Sequence, residues 1–110
     1  MKVLIDTSVW IAHFRKSVHE LAELLRSKHG FMHSAILGEL AIGNIPNRTH
    51  TLSELKLLPK LTEATSEEVL EFIETRKLFG KGLSWIDCQL LASSLISDAK
   101  ILTYDSRLSH

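Results

Sequence analysis

Lys2-Val3-Leu4-Ile5-Asp6-Thr7-Ser8 is a short apolar run, rich in β-formers, that breaks off at an acid and two hydroxyls. It reads as a buried strand passing straight into a turn or a helix start. Working outward, Val9 to Phe14 is a short apolar helical turn. Leu21, Ala22, Leu24 and Leu25 then fall on one helical face between Glu20 and Lys28. Gly30 reads as the stop of that helix, and Phe31-Met32-His33 as a second strand. Ser34 precedes an apolar helix, Ala35 to Ile42, closed by Gly43-Asn44.

After a loop at Pro46-Asn47-Arg48, Thr49 to Leu58 reads as a helix that stops before Pro59, and Lys60 to Ala64 as a third strand. Thr65 or Ser66 caps a charged helix, Glu67 to Phe79. Its pattern turns Val69, Leu70, Phe72, Ile73 and Leu78 inward and Glu68, Glu71, Glu74 and Arg76 outward. Gly80-Lys81-Gly82 is a flexible connection, and Ser84 starts a long apolar helix through Ile96. Lys100 to Tyr104 is a strand that ends at Asp105. Strands alternating with helices imply right-handed crossovers and an α/β class with a parallel, helix-covered sheet. In such sheets ligands bind beyond the carboxyl ends of the strands, where Asp6 and Asp105 both lie.

Composition narrows the function classes. A chain of 110 residues, 45% hydrophobic and 24% charged with five Gly and two Pro, reads as one ordinary globular domain spanning 1-110. Cys88 is the only cysteine and no Cys/His spacing resembles a zinc site, so a disulfide scaffold and a zinc module are excluded and a reducing, cytoplasmic location is expected. The first apolar run is interrupted by Asp6 and nothing approaches eighteen apolar residues, so neither a signal peptide nor a membrane span is expected. Thirteen basic residues balance thirteen acidic ones. If four acids share one site, nine acids face thirteen basic side chains over the remaining surface, an excess that suits a polyanion.

Each acid has a bland reading beside the chemical one. Asp6 and Asp105 follow strands, where an Asp is more often a helix cap than a catalytic group. Asp87 stands three residues after Ser84, the spacing of a capping box. Glu39 is different: it is the sole charged residue between Phe31 and Asn47, on a helix apolar on almost every face, and is expected to be buried. A buried carboxylate must be protonated, paired with a cation or bound to metal, and no Lys or Arg stands at helical spacing from it. Should the four acids converge, only cations would stabilise them, and all-oxygen ligation selects Mg²⁺ or Mn²⁺.

At these residues the chain resembles the PIN-domain ribonucleases, in particular the VapC-type toxins of bacterial toxin–antitoxin pairs. The likeness is carried by Val3-Leu4-Ile5-Asp6-Thr7-Ser8, by Gly38-Glu39-Leu40 with Gly43, by Asp87-Cys88-Gln89-Leu90-Leu91-Ala92 and by Thr103-Tyr104-Asp105, in that order. The lead-in Leu78 to Trp85 is similar to one branch of that family. The resemblance implies a three-layer α/β domain with a short central parallel sheet of four to five strands. It also implies a Mg²⁺- or Mn²⁺-dependent endoribonuclease in which Asp6, Glu39, Asp87 and Asp105 match the acidic quartet that binds metal and catalyses. Thr7 and Thr103 match hydroxyl positions behind those acids. It further implies an RNA substrate, a cognate antitoxin protein that blocks the site, and a homodimer. Relatives usually continue into another helix and often a last edge strand, whereas here the sequence has five residues after Asp105. That difference keeps open the alternative of a catalytically inactive PIN domain that binds protein or RNA.

Of the remaining residues, Arg15, Lys16, Arg48, Lys81 and Arg107 are candidates for RNA phosphate contacts, although isolated cations are usually just solvated. His13, His19, His29, His33, His50 and His110 show no paired ligand spacing. Trp10, Phe14 and Trp85 read as core or interface anchors, and Cys88 as a small core residue. A phosphatase built on an Asp6 nucleophile would want a second Asp where Ser8 stands.

Overall fold

In the computed structural model, which describes residues 1–108, β1 (Val3–Ile5) has three buried side chains and lies between two parallel neighbours, β2 (Gly30–Phe31) and β3 (Lys100–Leu102). Val3 pairs with Gly30 on one side and with Lys100 on the other. A central strand buried on both faces needs an apolar run rather than an alternating one, which is what Val3-Leu4-Ile5 supplies. Six helices connect and cover the strands among the described residues: α1 (Thr7–Arg15), α2 (His19–Arg26), α3 (Ser34–Ile42), α4 (Arg48–Leu55), α5 (Ser66–Arg76) and α6 (Trp85–Ile96).

Two apolar clusters result. The larger wraps the sheet with Val9, Trp10, Leu21, Ile36, Leu40, Leu52, Leu55 and Leu90, and the smaller joins α5 to α6 through Val69, Cys88 and Ala92 with Phe72 and Ile73 against them. Each fully buried Leu or Ile stabilises the fold by about 1.5–3 kcal/mol relative to exposure. The fully buried residues belong mainly to the larger cluster, so the sheet is the rigid platform.

The α/β class with a helix-flanked parallel sheet is the expected one, but the described strands number three, not four to five. Lys60 to Ala64 contributes a single bridge, Lys60 opposite Met32, with the Met32 N–H on the Pro59 carbonyl and the Leu61 N–H on the Met32 carbonyl. Pro59 has no N–H to extend the ladder backward. Further on, the Ala64 N–H is taken by the Ser93 hydroxyl instead of a strand. Gly30 is not the stop of α2. Lys28, at φ 63°, turns the chain, and Gly30 enters the sheet where an added Cβ would sit 3.3 Å from Leu25. Leu70 faces out, 56% exposed, because α5 packs inward along the Val69, Phe72 and Ile73 stripe, chiefly on α6. His110 lies outside the described residues.

A buried polar network fastens α3 to α6. The His33 Nδ1 accepts from the Ala35 N–H and so caps α3, which leaves its Nε2 to donate to Ser93 Oγ, 3.1 Å away. Ser93 also accepts from the Ala64 N–H and donates to Gln89 Oε1, while the Gln89 amide donates to the Ala64 carbonyl. Every member is satisfied, the condition under which a buried polar network fixes one arrangement of its helices. Burial pushes the His33 imidazole below its ordinary range, partly offset by the nearby Glu63 carboxylate.

Candidate functional site

Asp6 is the first residue beyond β1 and the N-cap residue of α1 by position, yet its side chain makes no cap bond. The buried carboxylate instead takes two hydroxyls on Oδ2, Ser8 Oγ at 3.1 Å and Thr103 Oγ1 at 2.7 Å. Its backbone N–H bonds the Leu102 carbonyl, so the ends of the neighbouring strands β1 and β3 are locked together beneath it. Thr103 in turn accepts from the Asp105 N–H at 2.9 Å, and Ser8 from the Tyr104 N–H at 3.1 Å. One hydroxyl from each side thus ties Asp6 to the turn that carries Asp105.

Glu39 reaches this edge from α3. Thr7, next to Asp6, donates its hydroxyl to Glu39 Oε1 at 2.8 Å. Contrary to the expectation of burial, Glu39 is exposed. The helix is apolar in composition, but Gly38, Glu39 and Ile42 face away from the core that Ile36 and Leu40 enter. The structure therefore removes the forced choice between protonation, ion pairing and metal that a buried Glu39 would have faced.

Asp87, half-buried, forms the capping box its spacing suggested: its Oδ2 accepts from the Ser84 N–H at 2.9 Å and its own N–H bonds Ser84 Oγ at 3.0 Å. Next to it, burial and the Asp87 charge push the Cys88 thiol up, so it stays protonated and acts as a small packing group.

Asp105 lies against Arg107. The guanidinium donates from Nε to Oδ1 at 3.2 Å and from Nη2 to Oδ2 at 2.9 Å, and the Arg107 N–H adds a third bond to Oδ1 at 3.0 Å. These donors hold the Asp105 carboxyl below the usual carboxylate range. The third guanidinium nitrogen donates to the Gly82 carbonyl at 3.0 Å, in the loop ahead of α6, and the Asp87 charge also acts on Arg107. Gly82 sits at φ 77°, a conformation that favours glycine, and this turn presents its carbonyl.

Hydrogen bonds therefore link Glu39 to Thr7, Asp6 to Thr103 and Asp105, and Asp105 through Arg107 to the start of the Asp87 helix. The four acids share one edge of the sheet but are not gathered on a point. Among the described residues no three His, Cys, Asp or Glu side chains are close enough to hold one metal ion. The donor chemistry at the edge is nonetheless all oxygen, carboxylates backed by hydroxyls, the set a hard divalent cation takes. Ser8 and the Arg107 pairing escaped the sequence reading. Both stand two residues beyond an acid, a spacing at which a side chain can fold back on its neighbour. Arg15, Lys16 and Lys81 are exposed, whereas Arg48 donates to the Ala41 carbonyl at the end of α3. Trp10 is buried as an anchor and Trp85 is 46% exposed.

Comparison with known proteins agrees with this architecture. Residues 3–110 match the PIN domain family. The chain is 39% identical over 107 residues to Ribonuclease VapC32 of Mycobacterium tuberculosis, in both strain CDC 1551 / Oshkosh and strain ATCC 25618 / H37Rv. That match covers 96% of this chain and 86% of the relative. No helix among the described residues is long and apolar enough to cross a membrane.

Proposed function

The chain belongs to the PIN-domain family, among its VapC-type ribonucleases, and from that premise we propose that it is a Mg²⁺- or Mn²⁺-dependent endoribonuclease hydrolysing RNA phosphodiester bonds. On this reading it is one PIN domain across 1–110, acts in the cytoplasm as the toxin of a type II toxin–antitoxin pair, and has a cognate antitoxin and a second copy of itself as partners. The observation that carries the reading is the Asp6 carboxylate, buried at a helix start, excused from capping and oriented by Ser8 and Thr103 beside Asp105.

The edge that carries Asp6, Glu39, Asp87 and Asp105 would hold the metal, with fewer than three of these carboxylates on one ion in the observed arrangement and water completing its shell. When bound, it supplies a polarised phosphate and a water acidified toward hydroxide. Thr103 and Ser8 hold Oδ2 of Asp6 and so fix the orientation of its carboxylate at the end of β1. Thr7 fixes Glu39 through Oε1, which leaves Oε2 of an exposed side chain to accept the proton of the attacking water. The Ser84–Asp87 box orients Asp87 by its backbone, at the positive end of α6 where a carboxylate is favoured.

The test is cleavage of mixed total RNA by purified protein with Mg²⁺ or Mn²⁺, with and without EDTA, beside Asp6→Asn and Asp105→Asn. Metal-dependent cleavage lost in both folded variants is the expected result. The Asp105–Arg107 pair favours a second reading, an inactive PIN domain that only binds protein or RNA. A folded protein that neither binds metal nor cleaves RNA would establish that alternative.

A further inference from the structure

Arg107 meets Asp105 with three donors, so both carboxylate oxygens are occupied by the same residue. A divalent cation and a guanidinium use the same lone pairs, so the two compete for Asp105. The pair is open to water, with side chains 55% and 27% exposed, and exposed ion pairs are weak and exchangeable. Arg107 has a second anchor, its bond from Nη1 to the Gly82 carbonyl. Leaving Asp105 would therefore not free the side chain into solvent. It would stay tethered between the last strand and the Asp87 helix, with two nitrogens of its fork vacated.

We propose that Arg107 is a positioning residue with two stations: one is the observed clamp on Asp105, and the other is an RNA backbone phosphate, to which it passes when a divalent cation takes that carboxylate. The proposal rests on the metal-dependent ribonuclease reading above. A planar fork suits both stations, because it bonds carboxylate and phosphate alike in a bidentate way. Exchange of one anion for another conserves the charge balance: the cation neutralises Asp105 as Arg107 leaves it, and the phosphate neutralises Arg107. Metal and RNA thereby bind with positive coupling, each favouring the state the other needs.

The experiment measures Mn²⁺ affinity from the signal of the free ion by electron paramagnetic resonance, for wild type, Arg107→Gln, Arg107→Lys and Asp6→Asn. It also measures binding of a cleavage-resistant 2′-O-methyl RNA oligonucleotide of mixed sequence, in Mn²⁺ and in EDTA. Arg107→Gln should bind Mn²⁺ about two- to fivefold more tightly, the range set by an exposed ion pair. It should lose about tenfold in oligonucleotide affinity in Mn²⁺ but nothing in EDTA. Arg107→Lys, a point charge without the fork, should recover only part of that loss.

If Arg107→Gln binds Mn²⁺ no more tightly, or loses oligonucleotide affinity equally in EDTA, while Asp6→Asn abolishes Mn²⁺ binding, the two-station role fails and the nuclease reading survives. If wild type binds no Mn²⁺, or binds it as well as Asp6→Asn does, both fall together.

Discussion

Helices α1 and α6 each begin beside an acid of the candidate site, and the two acids are used differently. At the start of α6, Asp87 closes a reciprocal capping box with Ser84, and α5 opens on a box of the same design, Thr65 with Glu68. At the start of α1, Asp6 occupies the cap position, but its carboxylate accepts no backbone N–H of the helix and is held by the Ser8 and Thr103 hydroxyls. On the proposed reading, a carboxylate withheld from the usual capping bond, buried, and steered by hydroxyls from two elements marks the functional end of the molecule. Asp87 does structural work as well as whatever it contributes at the site.

Asp6→Asn keeps an acceptor for the two hydroxyls but removes the charge. RNA cleavage should fall by about 10²–10³-fold, the scale for losing a charge-stabilising group, with little change in the melting temperature measured in EDTA. Thr103→Val removes one of the two bonds that orient Asp6 and the acceptor of the Asp105 N–H. Cleavage should drop about tenfold, on the scale of one hydrogen bond to a charged group, again with a small change in melting.

Ser84→Ala should behave in the opposite way. It removes the hydroxyl acceptor of the box but retains the backbone N–H that holds Asp87, so stability should fall by about 1 kcal/mol. That is a drop in melting temperature of roughly 4–8 °C, with cleavage retained below the transition. Thr65→Ala, in the other box, should match it in denaturation and leave cleavage alone.

The smallest effect is one of pH. His33 is depressed by burial and caps α3 through an unprotonated Nδ1. The unfolded chain therefore takes up a proton that the folded chain refuses. The contribution is complete above the ordinary imidazole value of about 6.5 and is lost as pH falls through the lower folded value. Melting temperature recorded from pH 7.5 down to 5 should decline over the lower part of the range, and His33→Asn, which can still cap, should flatten the decline.

Much of the fold was legible because its signals are local. Val3-Leu4-Ile5 could only be a buried strand, and the Ser84 start of α6 follows from its cap spacing. The strand expected at Lys60 to Ala64 shrinks to one bridge because β-pairing depends on what lies opposite, and there Pro59 has no N–H to give and Ser93 takes that of Ala64. At the candidate site, the chain suggests which acids to propose, whereas their surroundings are not legible in it. The exposure of Glu39 depends on which face α3 turns to the sheet. The Arg107 fork on Asp105 reaches the Gly82 carbonyl across a separation in sequence that no local pattern encodes.

On the proposed reading a divalent-cation site depends on the Asp6 carboxylate and not on the Ser84 hydroxyl that completes the capping box. The most direct test is thermal denaturation of wild type, Asp6→Asn and Ser84→Ala with and without Mn²⁺, since a ligand that binds only the folded state raises its melting temperature. The expected result is a Mn²⁺-dependent rise in wild type, retained in Ser84→Ala from its lower starting point and absent in Asp6→Asn. An equal rise in Asp6→Asn would mean that the cation binds without the Asp6 charge.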